Sequence, residues 1–108
     1  METSLDSLNA KIFAAQLHTR FKAQLANSAP LELELSEVEE RDASPKIELF
    51  FLRFRGPHAP KLAQQIHRLE HEKLGTLSIF LTAIGGDEDG IRYESVFHRF
   101  RKNPAVST

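Results

Sequence analysis

The run His67-Arg68-Leu69-Glu70-His71 carries the residue types and spacing closest to a known chemistry. It fits H-x-x-E-H, the zinc-binding signature of one class of metallopeptidases. That chemistry needs a helix, because residues i and i+4 then share a face a few ångströms apart and both imidazoles can reach one ion. On an extended strand the same two side chains share a face but stand roughly 13 Å apart, at about 3.3 Å per residue, and no single ion can take both. The local pattern favours the helix: Pro60 suits a first helical position, Leu62, Ile66 and Leu69 recur at helical spacing, and Gly75 suits the end. No third ligand is evident.

Three other groupings invite a chemical reading. Asp87, Glu88 and Asp89 between glycines suggest a calcium loop, yet they lack the spaced oxygens and closing glutamate of an EF-hand and read as a solvated hairpin turn. Arg53 and Arg55, with Arg92, Arg99 and Arg101, could line a patch for a carboxylate or phosphate. Pairing across strands with Glu48, Glu70 and Glu94 is the simpler expectation for them. Ser95 beside His98 has no G-x-S-x-G turn and no oriented acid, and His58 reads as a loop residue.

The elements that must position these residues follow from periodicity. Leu5, Leu8, Ile12, Phe13 and Leu17 recur at roughly helical spacing, with Ser4, Asp6 or Ser7 as N-cap, and predict a short N-terminal helix. From Thr19 the period becomes two: Phe21, Ala23 and Leu25, a turn at Asn27-Ser28-Ala29-Pro30, then Leu31, Leu33 and Leu35. Val38 breaks that alternation and predicts a bulge near Ser36-Glu37 or the strand's end. Glu39 to Pro45 reads as a polar connection into Ile47–Pro57, whose Leu49, Phe50, Phe51, Leu52 and Phe54 make both faces apolar, as in a central strand. Leu77, Ile79, Leu81 and Ala83, with Phe80 and Ile84 opposite, predict a second strand of that kind. An acidic turn then leads to a last strand with Ile91, Tyr93 and Phe97 on one face.

Composition narrows the functions. The chain has room for one domain. A net charge of −1 with dispersed Lys and Arg gives no field to hold a nucleic-acid backbone. The absence of cysteine removes disulfides, thiolate metal sites and a cysteine nucleophile, and suits a reducing cytoplasm. No stretch has the length and hydrophobicity to cross a bilayer as a helix, and the N-terminus lacks the regions of a signal peptide.

Phe54-Arg55-Gly56-Pro57, Arg68-Leu69-Glu70-His71, Leu74-Gly75, Phe80-Leu81, Ile84-Gly85, Gly90, Tyr93-Glu94 and Val96-Phe97 together resemble a bacterial family of small β-rich proteins catalogued as a domain of unknown function. The likeness spans roughly residues 47 to 98, with a weaker echo from Phe13 to Val38. It implies a strand over 64–71, against the local helical pattern, leading into a tight turn at Leu74-Gly75. His67 stands where the family tends to have Tyr, Glu72 and Ala83 where it tends to have Pro, and His98 where it tends to have Asn. The resemblance supplies no activity, cofactor or catalytic residue; the partner class it suggests is a phage-tail-like or surface-assembly protein.

These readings converge on a mainly β domain of about six antiparallel strands, closed as a small barrel or a two-layer sandwich, with a short N-terminal helix over an open end. Residues 1–18 form the helical segment, 19–100 the β core and 101–108 a flexible tail. The expected function is non-catalytic: a cytoplasmic interaction module binding another protein, or a second copy of itself, through an exposed strand edge or an arginine-bearing face. No cofactor, metal, nucleic acid or membrane partner is expected. Arg53, Arg55, His67, His71 and Arg92 are the candidate interaction residues. The alternatives are a small-molecule carrier with a ligand among the eight Phe, and a metal-dependent hydrolase built on His67, Glu70 and His71.

Overall fold

Alternating apolar residues along six segments build a wall with one inward face, and the wall closes on itself. The computed structural model describes residues 2–26, 28–42 and 44–100. A 3-10 turn, Leu5–Ser7, and a short helix, α1 (Ala10–Ala14), precede β1 (Arg20–Ala23), β2 (Leu31–Asp42), β3 (Ile47–Gly56), β4 (Gln65–His71), β5 (Gly75–Asp87) and β6 (Gly90–Phe100). All neighbours are antiparallel, in the order β1-β2-β3-β6-β5-β4, with β4 returning to β1 to complete a barrel. The sandwich alternative is thereby set aside. The expected tail, 101–108, lies outside the described residues.

The run 65–71 is a strand, as the family likeness implied and the local pattern did not. Its register against β5, from Gln65 opposite Leu81 to His71 opposite Gly75, puts His67, Leu69 and His71 inward and Glu70 outward. Long-range pairing has overridden helix propensity. The predicted bulge is present, with the β2–β3 register shifting between Leu35 and Glu37. Glu39 to Asp42 corrects the expected polar connection: these residues pair with Phe51 to Glu48 as the far end of a long hairpin. The polar side chains of Glu39, Glu40 and Arg41 suit a strand because they are half-buried or exposed.

The N-terminal helix is also shorter than the periodicity suggests. Its cap is Asn9, whose side-chain oxygen accepts from the Ile12 amide at 2.9 Å, while Ser4 caps only the 3-10 turn. Phe13 hangs from this turn and a half of helix into the barrel's end, with ring centroids 6.1 Å from Phe50 and 5.9 Å from Phe97; Phe50 and Phe97 themselves stack at 4.7 Å. The opposite mouth is crossed by the 57–64 loop, where the Leu62 amide donates to the buried Tyr93 hydroxyl at 3.0 Å. Nearby, Gly90 is held at a positive φ with an added Cβ reaching 2.0 Å from the Gly56 carbonyl oxygen, so the chain there has room for glycine alone.

One stretch of wall is joined differently. β5 and β6 pair only from Thr82–Glu94 to Asp87–Gly90, although β5 begins at Gly75 and β6 runs to Phe100. The N-terminal segment links them over the remainder. The Thr3 amide and hydroxyl donate to the Thr76 and Leu74 carbonyls, both at 2.7 Å. From β6, Arg99 donates to the Leu5 carbonyl at 3.0 Å, to the Leu8 carbonyl, and to Glu48 Oε1 at 2.6 Å.

Candidate interaction surface

The two strands that read as apolar on both faces, β3 and β5, have only one buried face, because a barrel has a single interior. Phe50, Leu52 and Phe54 of β3, with Leu77, Ile79 and Leu81 of β5, are buried inside it. Their outward apolar neighbours meet no second layer. Ile66 is 65% exposed, Phe80 48%, Ile84 44%, Val96 52% and Phe100 79%, which corrects the expectation that Phe80 and Ile84 are partly covered.

The β3–β6 ladder arranges much of this surface as a strip. Reading along the outer wall, the cross-strand pairs are Ile47 with Phe100, Leu49 with His98, Phe51 with Val96, Arg53 with Glu94 and Arg55 with Arg92. Alternation places all ten side chains on the same side. The strip is therefore apolar over its first three pairs, apart from His98, ion-paired at the fourth and doubly basic at the fifth. On the same outer side, Ile66 and Phe80 face each other across β4 and β5.

The arginines differ in what they already hold. Arg53 is the centre of a carboxylate cluster: Nη1 is 3.0 Å from Glu37 and 2.8 Å from Glu39, and Nε is 3.0 Å from Glu94. Partial burial works against its charge, but hydrogen bonds to Glu39, Glu37 and Glu94 outweigh that and raise its pKa. Hydrogen bonds from Arg41 and then Arg53 hold the Glu39 carboxyl below its ordinary range. The Arg41 and Arg53 guanidiniums lie 4.5 and 5.4 Å from the Phe51 ring centroid, so this outward phenylalanine is covered by cations. Arg55 has only a 3.9 Å approach to Asp89, itself 73% exposed, and its Nε is buried with no hydrogen-bond partner. The Arg92 side chain makes no hydrogen bond or ion pair among the described residues.

The two histidines stand apart from this surface. The strand places both inside the wall, roughly 13 Å from each other, and directs Glu70 outward, so the H-x-x-E-H run has none of the convergence that zinc requires. Among the described residues no group of three or more His, Asp or Glu is placed to hold a metal ion. His67 Nε2 bonds the Ala63 carbonyl at 2.7 Å, so it carries the proton. It ties the 57–64 loop to β4.

His71 does comparable work at the other end. Its Nδ1 accepts from the Lys73 and Leu74 amides at 3.0 and 3.1 Å, which fixes the proton on Nε2, 2.8 Å from Thr19 Oγ1. Thr19 in turn donates to the Gln16 carbonyl at 2.6 Å. An open groove of about 750 Å³ lies over this pair, lined by residues that include Gln16, Lys22, Glu70 and Lys73. The only lone pair on the imidazole is spent on the β4–β5 turn, so His71 has nothing with which to take a proton from Thr19. Sequence reasoning saw His71 as a ligand candidate and missed this role; the signal was a histidine just ahead of the Leu74-Gly75 turn, with Gly75 at positive φ.

Ser95 points inward and His98 outward, which separates them. The acidic tip is a hairpin turn closed by the Asp89 amide on Asp87 Oδ1 at 2.8 Å. The barrel interior is filled by Phe21, Leu33, Leu35, Phe50, Phe54, Tyr93 and their buried neighbours. No helix is long and apolar enough to cross a membrane among the described residues.

No curated protein and no solved structure matches the chain. One family model does, wider than the likeness legible in the sequence: described as Domain of unknown function (DUF6916), it matches residues 8–97, which take in α1, β1 to β5 and most of β6, and the chain belongs to that family.

Proposed function

We propose that this domain is a non-catalytic interaction module that binds another protein, or a second copy of itself, through the outer wall of β3, β6, β5 and β4. Its place of work on this reading is the cytoplasm of a bacterial cell, which suits a chain without cysteine. The observation that carries the reading is the exposure of Ile66, Phe80, Val96 and Phe100 on one side of a barrel whose interior is already filled. Exposed apolar side chains are ordinary singly; grouped on a rigid sheet they mark a surface that another molecule covers. The packed interior speaks against a carrier, and the extended H-x-x-E-H run against a metallohydrolase.

The test is cross-linking in the native cell with wild type and with a Phe80→Glu, Val96→Glu double variant. Both substitutions lie on the outer face, so the variant should melt within a few degrees of wild type. The expected result is one cross-linked partner, or the homodimer, present with wild type and lost with the variant. An identical set of cross-links from the two proteins would refute the reading.

A further inference from the structure

We propose that Arg55 and Arg92 form a carboxylate-binding site at the basic end of this wall, and that the partner is an acidic-apolar protein segment. Its carboxylates meet the two guanidiniums while its apolar side chains lie over Val96. The proposal rests on the outer wall being the interface, and it names the partner's chemistry.

The first argument is the pairing itself. Arg55 and Arg92 are direct cross-strand partners, which puts their Cβ atoms about 5 Å apart. Like charges so placed repel, and neighbouring strands normally supply acids to compensate, as Glu37, Glu39 and Glu94 do for Arg53. Around Arg55 and Arg92 that supply is thin. Glu34, the β2 neighbour of Arg55, is engaged by His18 Nδ1 at 3.0 Å. Asp89 stands 3.9 Å from Arg55 Nη1. On the other flank the ladder partner of Arg92 is Gly85, at a β5 irregularity, and Gly86 follows it. Neither glycine has a side chain to stand over the guanidinium.

The second argument is the open end of Arg55. Its Nε is enclosed, so a ligand meets this side chain, 40% exposed as a whole, at the terminal nitrogens, where Asp89 stands 3.9 Å from Nη1. A carboxylate set between the two guanidiniums accepts in the paired-fork geometry that arginine provides and lysine does not.

Continuity with the apolar strip decides the kind of partner. Four residues along β3 and β6, roughly 13 Å away, lie Phe51 and Val96. A segment with acidic residues at one end and an apolar side chain about 13 Å further on matches both halves of the strip. A nucleic-acid backbone does not fit, since Glu34, Glu94 and Asp89 lie around the two arginines, and Arg20, which lines the same groove as Arg55, is itself flanked by Glu32 at 3.9 Å.

The probe is an N-acetylated, C-amidated peptide, Asp-Glu-Thr-Val-Thr-Phe-Thr-Val, titrated into isotope-labelled full chain and followed by NMR. The arginine Nε–H resonances of Arg55 and Arg92 and the amides of Phe51 and Val96 are expected to shift together and saturate. The Asn-Gln version of the peptide is expected to bind about tenfold more weakly or worse, and Arg92→Gln to weaken the acidic peptide by a similar factor at unchanged melting temperature. Because Arg92 is exposed, that variant should fold; Arg55→Lys is the second, charge-conserving variant and should weaken binding through the lost fork.

Equal binding of the two peptides, or shifts that leave Arg55 and Arg92 unmoved, overturns the proposal. So does inorganic phosphate that saturates both arginines as tightly as the peptide, which would mark a small-anion site. Sedimentation showing a dimer whose dilution moves the Arg92 resonance would make the occupant a second copy and overturn it also. In each case loss of cross-links in the Phe80→Glu, Val96→Glu variant keeps the interface itself standing, so the two readings fail separately.

Discussion

His71 serves the fold in one protonation state. With Nδ1 accepting two amides, a second proton has no place to sit, and burial, with the Phe21 ring centroid 4.3 Å away, pushes the imidazole below its ordinary pKa of 6.5. Glu72 works weakly against that shift and Lys73 with it. The unfolded chain takes up a proton near pH 6.5 while the folded one resists, so the stabilisation is complete above that pH and is lost as pH falls through the folded value. Thermal unfolding should show the melting temperature declining from about pH 7.5 to about pH 5.5. In His71→Phe the decline should be shallower, with stability near neutrality lower by about 1–2 kcal/mol for the lost amide acceptor. A variant that keeps the full decline would remove His71 as its source. None of this was legible from the H-x-x-E-H spacing, because the same five letters serve a zinc helix and a strand that ends in a capped turn.

At the scale of elements, period-two hydrophobicity was enough to find β1, the first half of β2 and β6, runs apolar on both faces marked β3 and β5, and Val38 pointed to the bulge or a strand end. Two kinds of element were obscured. Residues 65–71 needed the family likeness, since local spacing alone satisfied a helix, and Glu39 to Asp42 concealed a strand because Glu40 and Arg41 are exposed and strand pairing there has no need of apolar alternation. The N-terminal segment was misjudged in size for a related reason: its leucines are spent on long-range contacts and only Ala10–Ala14 coils as a helix. What fixes that segment is Arg99, whose guanidinium meets Glu48 and the Leu5 and Leu8 carbonyls and lies 5.2 Å from the Phe97 ring centroid. Glu48 is buried, so Arg99→Gln leaves an acid with its partner removed, and urea unfolding should register a loss of about 3 kcal/mol. Hydrogen exchange should locate the damage, with the Thr3 and Phe13 amides losing protection ahead of those in β3. Uniform loss across the molecule would mean that Arg99 does not fasten the segment.

For the whole molecule, the sequence foretold the amount of apolar surface and misassigned its destination. Two-faced strands suggested a sheet buried on both sides; closure into one ring leaves room inside for only half of their side chains, and the rest became the outer wall. The candidate residues divided along the same line, with His67 and His71 inside and Arg53, Arg55 and Arg92 outside. Phe13 is where the interior depends on the N-terminal segment most. Phe13→Ala would open a void beside Phe50 and Phe97 and should lower stability by about 3–5 kcal/mol in chemical denaturation, while a change below about 1 kcal/mol would show that the helix does not seal this end. The ring is not equally strong around its circumference. β1 meets β4 through Lys22–Glu70 and Ala23–Leu69, with one more bond from the Gln24 amide to the Arg68 carbonyl, whereas β3 and β6 share ten residue pairs. A hoop comes apart at its narrowest splice: thermal fluctuations that leave the broad staves intact will part β1 from β4 first, and a chain collapsing from the unfolded state will make that join last, after distant stretches have already been brought into line.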